Sequence, residues 1–213
     1  MKITKYAHAC LSVEKDGTKI LLDPGSWNEL PDVTGLSAIL ITHEHMDHYD
    51  PAQIRALLAG SPEAQVISHR GMLEKLTADG MGEALIIEPG VSLDVNGVSI
   101  ESFGTEHAAI YKTSPCRNTG FLIGGELFVP GDAVHDVPPK KVRVLALPTG
   151  GPWMKVEEAV DYAKAVAPAV AFPIHDAMYE AGYQEFLVDR FAGLLKDDTI
   201  EFVAMPAGSS REF

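Results

Sequence analysis

Cysteine is almost missing from this chain. Cys10 lies among Ala9, Leu11 and Val13, and Cys116 lies in a polar loop. Two isolated cysteines exclude a disulfide framework and any C-x-x-C metal or redox site, so both read as free thiols, with Cys10 packing as a small apolar residue. Long apolar runs are missing too. No stretch approaches the roughly 18 residues needed to cross a bilayer, so no membrane span is expected. Positive charge is scarce, with 17 Lys and Arg against 30 Asp and Glu and a formal net charge of −13. Such a surface repels phosphate backbones and makes a nucleic-acid partner unexpected, although bound metal ions would add a local positive field. The opening Met1-Lys2-Ile3-Thr4-Lys5 lacks the apolar region of a secretory signal, so the cytoplasm is the expected compartment. Low-complexity segments, heptads and linkers are absent, and only Gly208-Ser209-Ser210-Arg211 reads as a frayed tail.

What is present is an ordinary globular composition, 46% apolar and 22% charged over 213 residues, which fits one domain spanning 1–213. Extended patterns come first: Lys2 to Tyr6, then Ala9 to Glu14 and Thr18 to Leu22 joined across Lys15-Asp16-Gly17 as a hairpin. A buried strand follows at Ser37 to Thr42. Asp50-Pro51-Ala52-Gln53 then opens a helix, with Asp50 as N-cap, Pro51 at the first helical position and Gln53 closing a capping box; Gly60 ends it. Strand 64–68, helix 71–78, strand 84–87 and a hairpin through Asn96-Gly97 into Val98 to Phe103 complete a first half. The rhythm repeats with a hairpin at Gly124-Gly125, strand 142–147, helix 156–167, strand 169–172, helix 183–195 and strand 199–203. Two similar halves, each a sheet with helices on its outer face, imply an α/β fold in the form of a four-layer αββα sandwich.

The densest chemistry lies in Thr42-His43-Glu44-His45-Met46-Asp47-His48, directly behind the apolar run Ala38-Ile39-Leu40-Ile41. Imidazole and carboxylate are the groups that hold zinc, iron or manganese. Crowding them into one loop without a cation would bring only repulsion and ordering cost. Four more residues of ligand type follow apolar strands: Asp23, His107, Asp132 and His175. Singly, each has an ordinary explanation as a turn residue or a hydrogen-bonded histidine. As a set they gain meaning, because strand ends of one sheet lie side by side and bring distant residues to one place.

The ordered set resembles the metallo-β-lactamase superfamily, whose H-x-H-x-D-H motif is matched by His43, His45, Asp47 and His48. The resemblance covers nearly the whole chain and implies the fold of that family. It further implies one metal held by His43, His45 and His107 and a second by Asp47, His48 and His175, with Asp132 bridging and Asp23 orienting a ligand histidine. A narrower similarity rests on Asp50, on Asn118-Thr119-Gly120-Phe121, and on Pro148-Thr149-Gly150-Gly151-Pro152-Trp153-Met154 leading into Glu157-Glu158-Ala159. These look like the branch of ascorbate-phosphate lactonases and N-acylphosphatidylethanolamine phospholipase D-like hydrolases. The chain departs from that branch at Ala133 and Asp176, where Thr or Ser and an aromatic are common.

The activity so implied is a metal-dependent hydrolase that uses a metal-bound hydroxide on an ester, lactone or phosphodiester bond of a small molecule. Asp47 and Asp132 would be the catalytic carboxylates, and two divalent ions, zinc first and manganese or iron as alternatives, the cofactors. The competing readings are a nuclease-type phosphodiesterase, a mononuclear iron dioxygenase of the same fold, and a metal-binding module without turnover. Glu44, beside the ligand position His45, is expected to face solvent or support a ligand. His8, His135 and Trp153 are candidates to line the substrate pocket: His8 through a first loop that would approach the metals, His135 by meeting an anionic group. Ser26 to Gly35 is a candidate lid.

Overall fold

The structure, a computed structural model, describes residues 1–29, 32–112 and 115–213. In chain order the elements are β1 (Lys2–Ala7), β2 (Cys10–Lys15), β3 (Thr18–Leu22), β4 (Ala38–Leu40), α1 (Pro51–Gly60), β5 (Gln65–Ser68), α2 (Leu73–Ala78) and β6 (Leu85–Ile86). There follow β7 (Ser92–Val95), β8 (Val98–Phe103), β9 (Gly120–Ile123), β10 (Leu127–Val129), β11 (Val144–Pro148), α3 (Val156–Val166), β12 (Val170–Ile174), α4 (Ala181–Leu195), β13 (Glu201–Phe202) and β14 (Ser210–Glu212). The strands form two seven-stranded sheets, ordered β14-β1-β2-β3-β4-β5-β6 and β13-β12-β11-β10-β9-β8-β7.

Side-chain alternation explains the layering. In β4, Ala38 and Leu40 face the inter-sheet core with Phe121, Val129 and Phe172, while Ile39 turns the other way and joins Ile54 and Leu76 beneath α1 and α2. β11 does the same: Val144 and Ala146 face the first sheet, and Leu145 and Leu147 lie beneath α3 and α4 with Ala163 and Phe191. Each sheet is therefore buried on both faces in its centre, and the four layers run helix, sheet, sheet, helix as expected. No helix among the described residues is long and apolar enough to cross a membrane.

The halves divide elsewhere than the sequence rhythm implies. The β7–β8 hairpin belongs to the second sheet, where β8 pairs antiparallel with β9. Its turn residues specify a hairpin but not the sheet it joins; Val98 and Ile100 decide that by filling the inter-sheet core. The expected frayed tail is likewise a strand: β14 crosses back to pair with β1, Lys2 opposite Glu212 and Thr4 opposite Ser210. Its residues are exposed, so the pairing rests on backbone hydrogen bonds that polar side chains neither signal nor oppose. The capping box is only half formed. The Asp50 side chain accepts from the Ala52 and Gln53 backbone, but the Gln53 amide donates to the carbonyls of Gly25 and Asn28 instead.

Once β7 and β14 are set aside, the halves match strand for strand. β1-β2-β3 are antiparallel and β4, β5 and β6 follow in parallel, while β8-β9-β10 are antiparallel and β11, β12 and β13 follow in parallel. Within each sheet β1, β3, β4 and β5, or β8, β10, β11 and β12, run the same way. Their carboxyl ends, followed by His8, Asp23, His43 and His69 or by His107, Asp132, Thr149 and His175, therefore share one edge of that sheet.

Candidate metal centre

Asp23 organises the floor of the site. It is fully buried, with a left-handed backbone (φ 46) just past β3. Its Oδ1 accepts from the Thr42 backbone at 2.8 Å, and its Oδ2 accepts from the Thr42 hydroxyl and faces His48 Nδ1, both at 2.8 Å. Because the Thr42 hydroxyl donates to Asp23, its oxygen is free to accept from His43 Nδ1 at 3.0 Å. His107 Nδ1 meets the Ala108 carbonyl at 2.5 Å. This network assigns a ring proton to Nδ1 in His43, His48 and His107, so that each Nε2 is the nitrogen left to a metal once any proton on it has gone.

Local backbone contacts fix the loop. His48 and Tyr49 donate to the His45 carbonyl at 3.0 and 2.8 Å, and Ser26 donates to the Met46 carbonyl at 2.7 Å. A Cβ on Gly25 would lie 2.0 Å from the Asp47 carbonyl carbon, so only glycine lets the chain after Asp23 run against this loop. Across the site, Asn118 holds the second acidic loop by accepting from the Asp132 backbone and donating to the Pro130 carbonyl, at 3.1 and 2.9 Å.

The side chains converge in two groups, His43 with His45, His107 and Asp132, and His8 with Asp47, His48 and His175; donor atoms within each lie no more than 4.8 Å apart. Asp132 stands between them. Its Oδ2 is 3.1 Å from His107 Nε2 and 3.0 Å from His175 Nε2, and its Oδ1 is 3.1 Å from His48 Nε2. Yet among the described residues His48 Nε2, Asp132 Oδ1 and His175 Nε2 are buried without a hydrogen bond. Buried polar atoms that crowd one another without bonding are what cation ligands look like when the cation is taken away. The donor set, imidazole and carboxylate without thiolate, fits a pair of divalent ions such as zinc, manganese or iron.

The electrostatics agree. Burial, with His48 adding to it, pushes His43 well below the usual imidazole range. Burial also opposes charge on His48 and His175, but Asp132 outweighs it, aided by Asp23 at His48; His48 is raised well above its ordinary value and His175 to about 9. Asp132 and Asp47 resist the upward push of burial and are held low, Asp132 chiefly by His48 and His175, Asp47 by the neighbouring imidazoles of His175 and His8. The carboxylates thus stay anionic, and protons sit on nitrogens that a metal would claim.

All seven residues proposed as ligands from the sequence are therefore gathered here, and Asp23 supports His48. His8 lies inside the second group. Trp153 is buried with its ring 5.6 Å from that of His107 and 5.4 Å from that of His175, forming a wall. His135 stands apart from both groups: it is exposed and its Nε2 is 3.5 Å from Asp136. Glu44 is exposed. In the candidate lid, positions 30 and 31 lie outside the described residues; Trp27 packs 4.7 Å from the His8 ring. Cys116, whose polar loop leaves it free to approach a site, has its Sγ 3.6 Å from His45 Nε2, burial pushing the thiol up to about 11. Sequence reasoning missed the buried pair of Lys5 Nζ with Asp176 Oδ2 at 2.6 Å, which ties β1 to the residue after His175. A lysine in an alternating strand reads as solvent-facing, and only Asp176 beside His175 hinted at a partner.

Two stacked mixed sheets flanked by helices, with histidines and aspartates gathered past their strand ends, define a metallo-β-lactamase-type fold. The chain belongs to the family described as beta-lactamase superfamily domain, whose sequence profile matches residues 2–175. It is 37% identical over 221 residues to Protein Rv0786c of Mycobacterium tuberculosis, covering 100% of both chains. It is 28% identical over 191 residues to the UPF0173 metal-dependent hydrolase Ta0764 of Thermoplasma acidophilum, covering 82% of this chain and 83% of that one. Among solved structures, Igni18, a metallo hydrolase from Ignicoccus hospitalis, superposes with a TM-score of 0.76 at 22% identity, over 100% of this chain and 98% of the other.

Proposed function

We propose that the protein is a metal-dependent hydrolase with two divalent ions, zinc foremost, acting on an ester, lactone or phosphodiester bond of a small molecule. The observation that carries this reading is Asp132, whose two carboxylate oxygens face nitrogens of both donor groups at 3.0–3.1 Å. His43, His45 and His107 would hold one ion and Asp47, His48 and His175 the other, with Asp132 between them. Ions held there supply a Lewis acid for the scissile group and lower the pKa of water to about 7. Asp47, a partly open carboxylate held ionised beside His175, would turn Oδ2 to the ion and use Oδ1 to orient the attacking water and take its proton. Trp153 walls the pocket and excludes water from its inner side.

The names of relatives such as the Thermoplasma protein support hydrolysis. Trp27 and Met46, 44% and 65% exposed in loops that carry proposed metal-site residues, favour a substrate with an apolar group beside the scissile bond. The acidic surface argues against a polynucleotide. The test is a panel of esters, lactones and phosphodiesters with apolar and polar leaving groups, assayed on protein of measured metal content. Hydrolysis of at least one class is expected, with Asp132→Ala lowering it by about 100-fold or more. Metal-loaded protein that turns over none of them would leave a binding module as the better reading.

A further inference from the structure

His8 has no place in the seven-ligand scheme above, yet its backbone and side chain are closely constrained. Its side chain is buried, and its backbone takes the left-handed region (φ 49), which costs energy in any residue with a Cβ. Strain of this kind persists where the surroundings impose it, and two other ordinary residues of the site, Asp23 and His175, share it. The surroundings of His8 are explicit. The Trp27 ring packs on it at 4.7 Å and the His175 ring at 4.0 Å, while its carbonyl accepts from the His175 backbone at 3.1 Å. Among the described residues Nδ1 is buried with no hydrogen-bond partner, so the imidazole is held by polar contact from its Nε2 side alone.

The other ring nitrogen is aimed at the metal centre. His8 Nε2 is 3.0 Å from Asp47 Oδ2, and the same oxygen is 3.4 Å from His175 Nε2 and 3.8 Å from His48 Nε2. Three Nε2 atoms thus surround one carboxylate oxygen. Ligand atoms bound to a tetrahedral zinc ion about 2.0–2.1 Å away stand roughly 3.3 Å from one another, and these separations bracket that spacing. Topology points the same way. His8 lies between β1 and β2, where His107 lies between the matching strands β8 and β9, and His107 belongs to the other donor group.

We infer that His8 is itself a ligand of the second metal, completing a set of three imidazoles and Asp47 that mirrors the set of His43, His45, His107 and Asp132. This rests on the dinuclear reading of the site but not on its hydrolytic activity. Each metal then has three imidazoles, with Asp47 as a carboxylate of the second alone and Asp132 facing both, and the loop between β1 and β2 becomes part of the metal centre.

The test uses cobalt(II)-substituted full-length protein. In proton NMR with labelled histidine, six contact-shifted imidazoles are expected in the wild type. His8→Asn, which tolerates a left-handed backbone, should remove one set and leave the others. It should also weaken binding of the second cobalt equivalent about 10–100-fold or more while sparing the first. His8→Gly, which relieves the backbone strain outright, should behave alike and regain a contact-shifted ring on addition of free imidazole. Five contact-shifted rings in the wild type, or second-site affinity within about twofold in both variants, would overturn the inference and leave His8 as a partner that positions Asp47. Two bound cobalt ions with His8 coordinated but no hydrolysis would sink the proposed activity and leave this assignment standing.

Discussion

At Asp132 and its neighbours the charges decide how the site responds to pH. Burial pushes His8, His43 and His45 down and favours their neutral forms. His48 and His175 are instead raised against burial by Asp132, His175 to about 9. A histidine whose folded pKa exceeds its unfolded value of about 6.5 adds stability below 6.5, and that stability is lost as pH rises through the folded pKa. Metal-free protein is therefore expected to lose thermal stability between about pH 6.5 and 9, because two carboxylates lose their cationic partners. Metal affinity moves the opposite way, since the protons on His48 and His175 must leave before those nitrogens coordinate. Chelator-competition titrations at pH 6, 7.5 and 9, run beside melting curves, check both slopes. A metal affinity independent of pH across that range would contradict this assignment of the protons.

At the scale of elements, the site depends on short connections between a strand end and the next helix or strand. The turn Asp23-Pro24-Gly25 touches the backbone of Asp47 and His48, and Gln53 of α1 donates one hydrogen bond to Gly25 in that turn and one to Asn28 just after it. Gly25→Ala is thus expected to lower the melting temperature and weaken metal binding about 10–100-fold, by displacing two ligands it never contacts through its own side chain. Gly193→Ala, in α4 with open space around it, serves as the contrast: it should stabilise by about 0.5–1 kcal/mol and leave metal binding unchanged. Equal metal affinity in Gly25→Ala and the wild type would show that the turn does not set the loop. Much of this was legible in the sequence. The strand before His43, the Asp50 cap after it and the apolar runs before Asp132 and His175 are local signals, and they held. What escaped were pairings between distant segments whose side chains carry no apolar signal: the exposed β14 on β1 and the Lys5–Asp176 pair. A sequence states which residues prefer an edge or an interior but not which edge.

At the scale of the whole molecule, the two matching halves explain why the centre lies where it does. Each sheet sends its same-direction strands to a single edge, and the inter-sheet core of Leu40, Phe121, Val129 and Phe172 holds the two edges together. Neither half holds a complete donor set: the His-rich loop comes from the first sheet, while His107, Asp132 and His175 come from the second. Metal binding and the packing of the halves are therefore linked, and any ion that binds the folded chain alone stabilises it by about 2.7 kcal/mol at a hundredfold excess over its Kd. The central claim is that this shared edge holds two ions. Elemental analysis of the purified, dialysed protein after reconstitution with zinc, manganese or iron tests it most directly. About two ions per chain are expected for the wild type and clearly fewer for Asp132→Ala, which changes the residue that faces both groups. A wild type that retains one ion or none with every metal, or an Asp132→Ala protein that retains both, would contradict it.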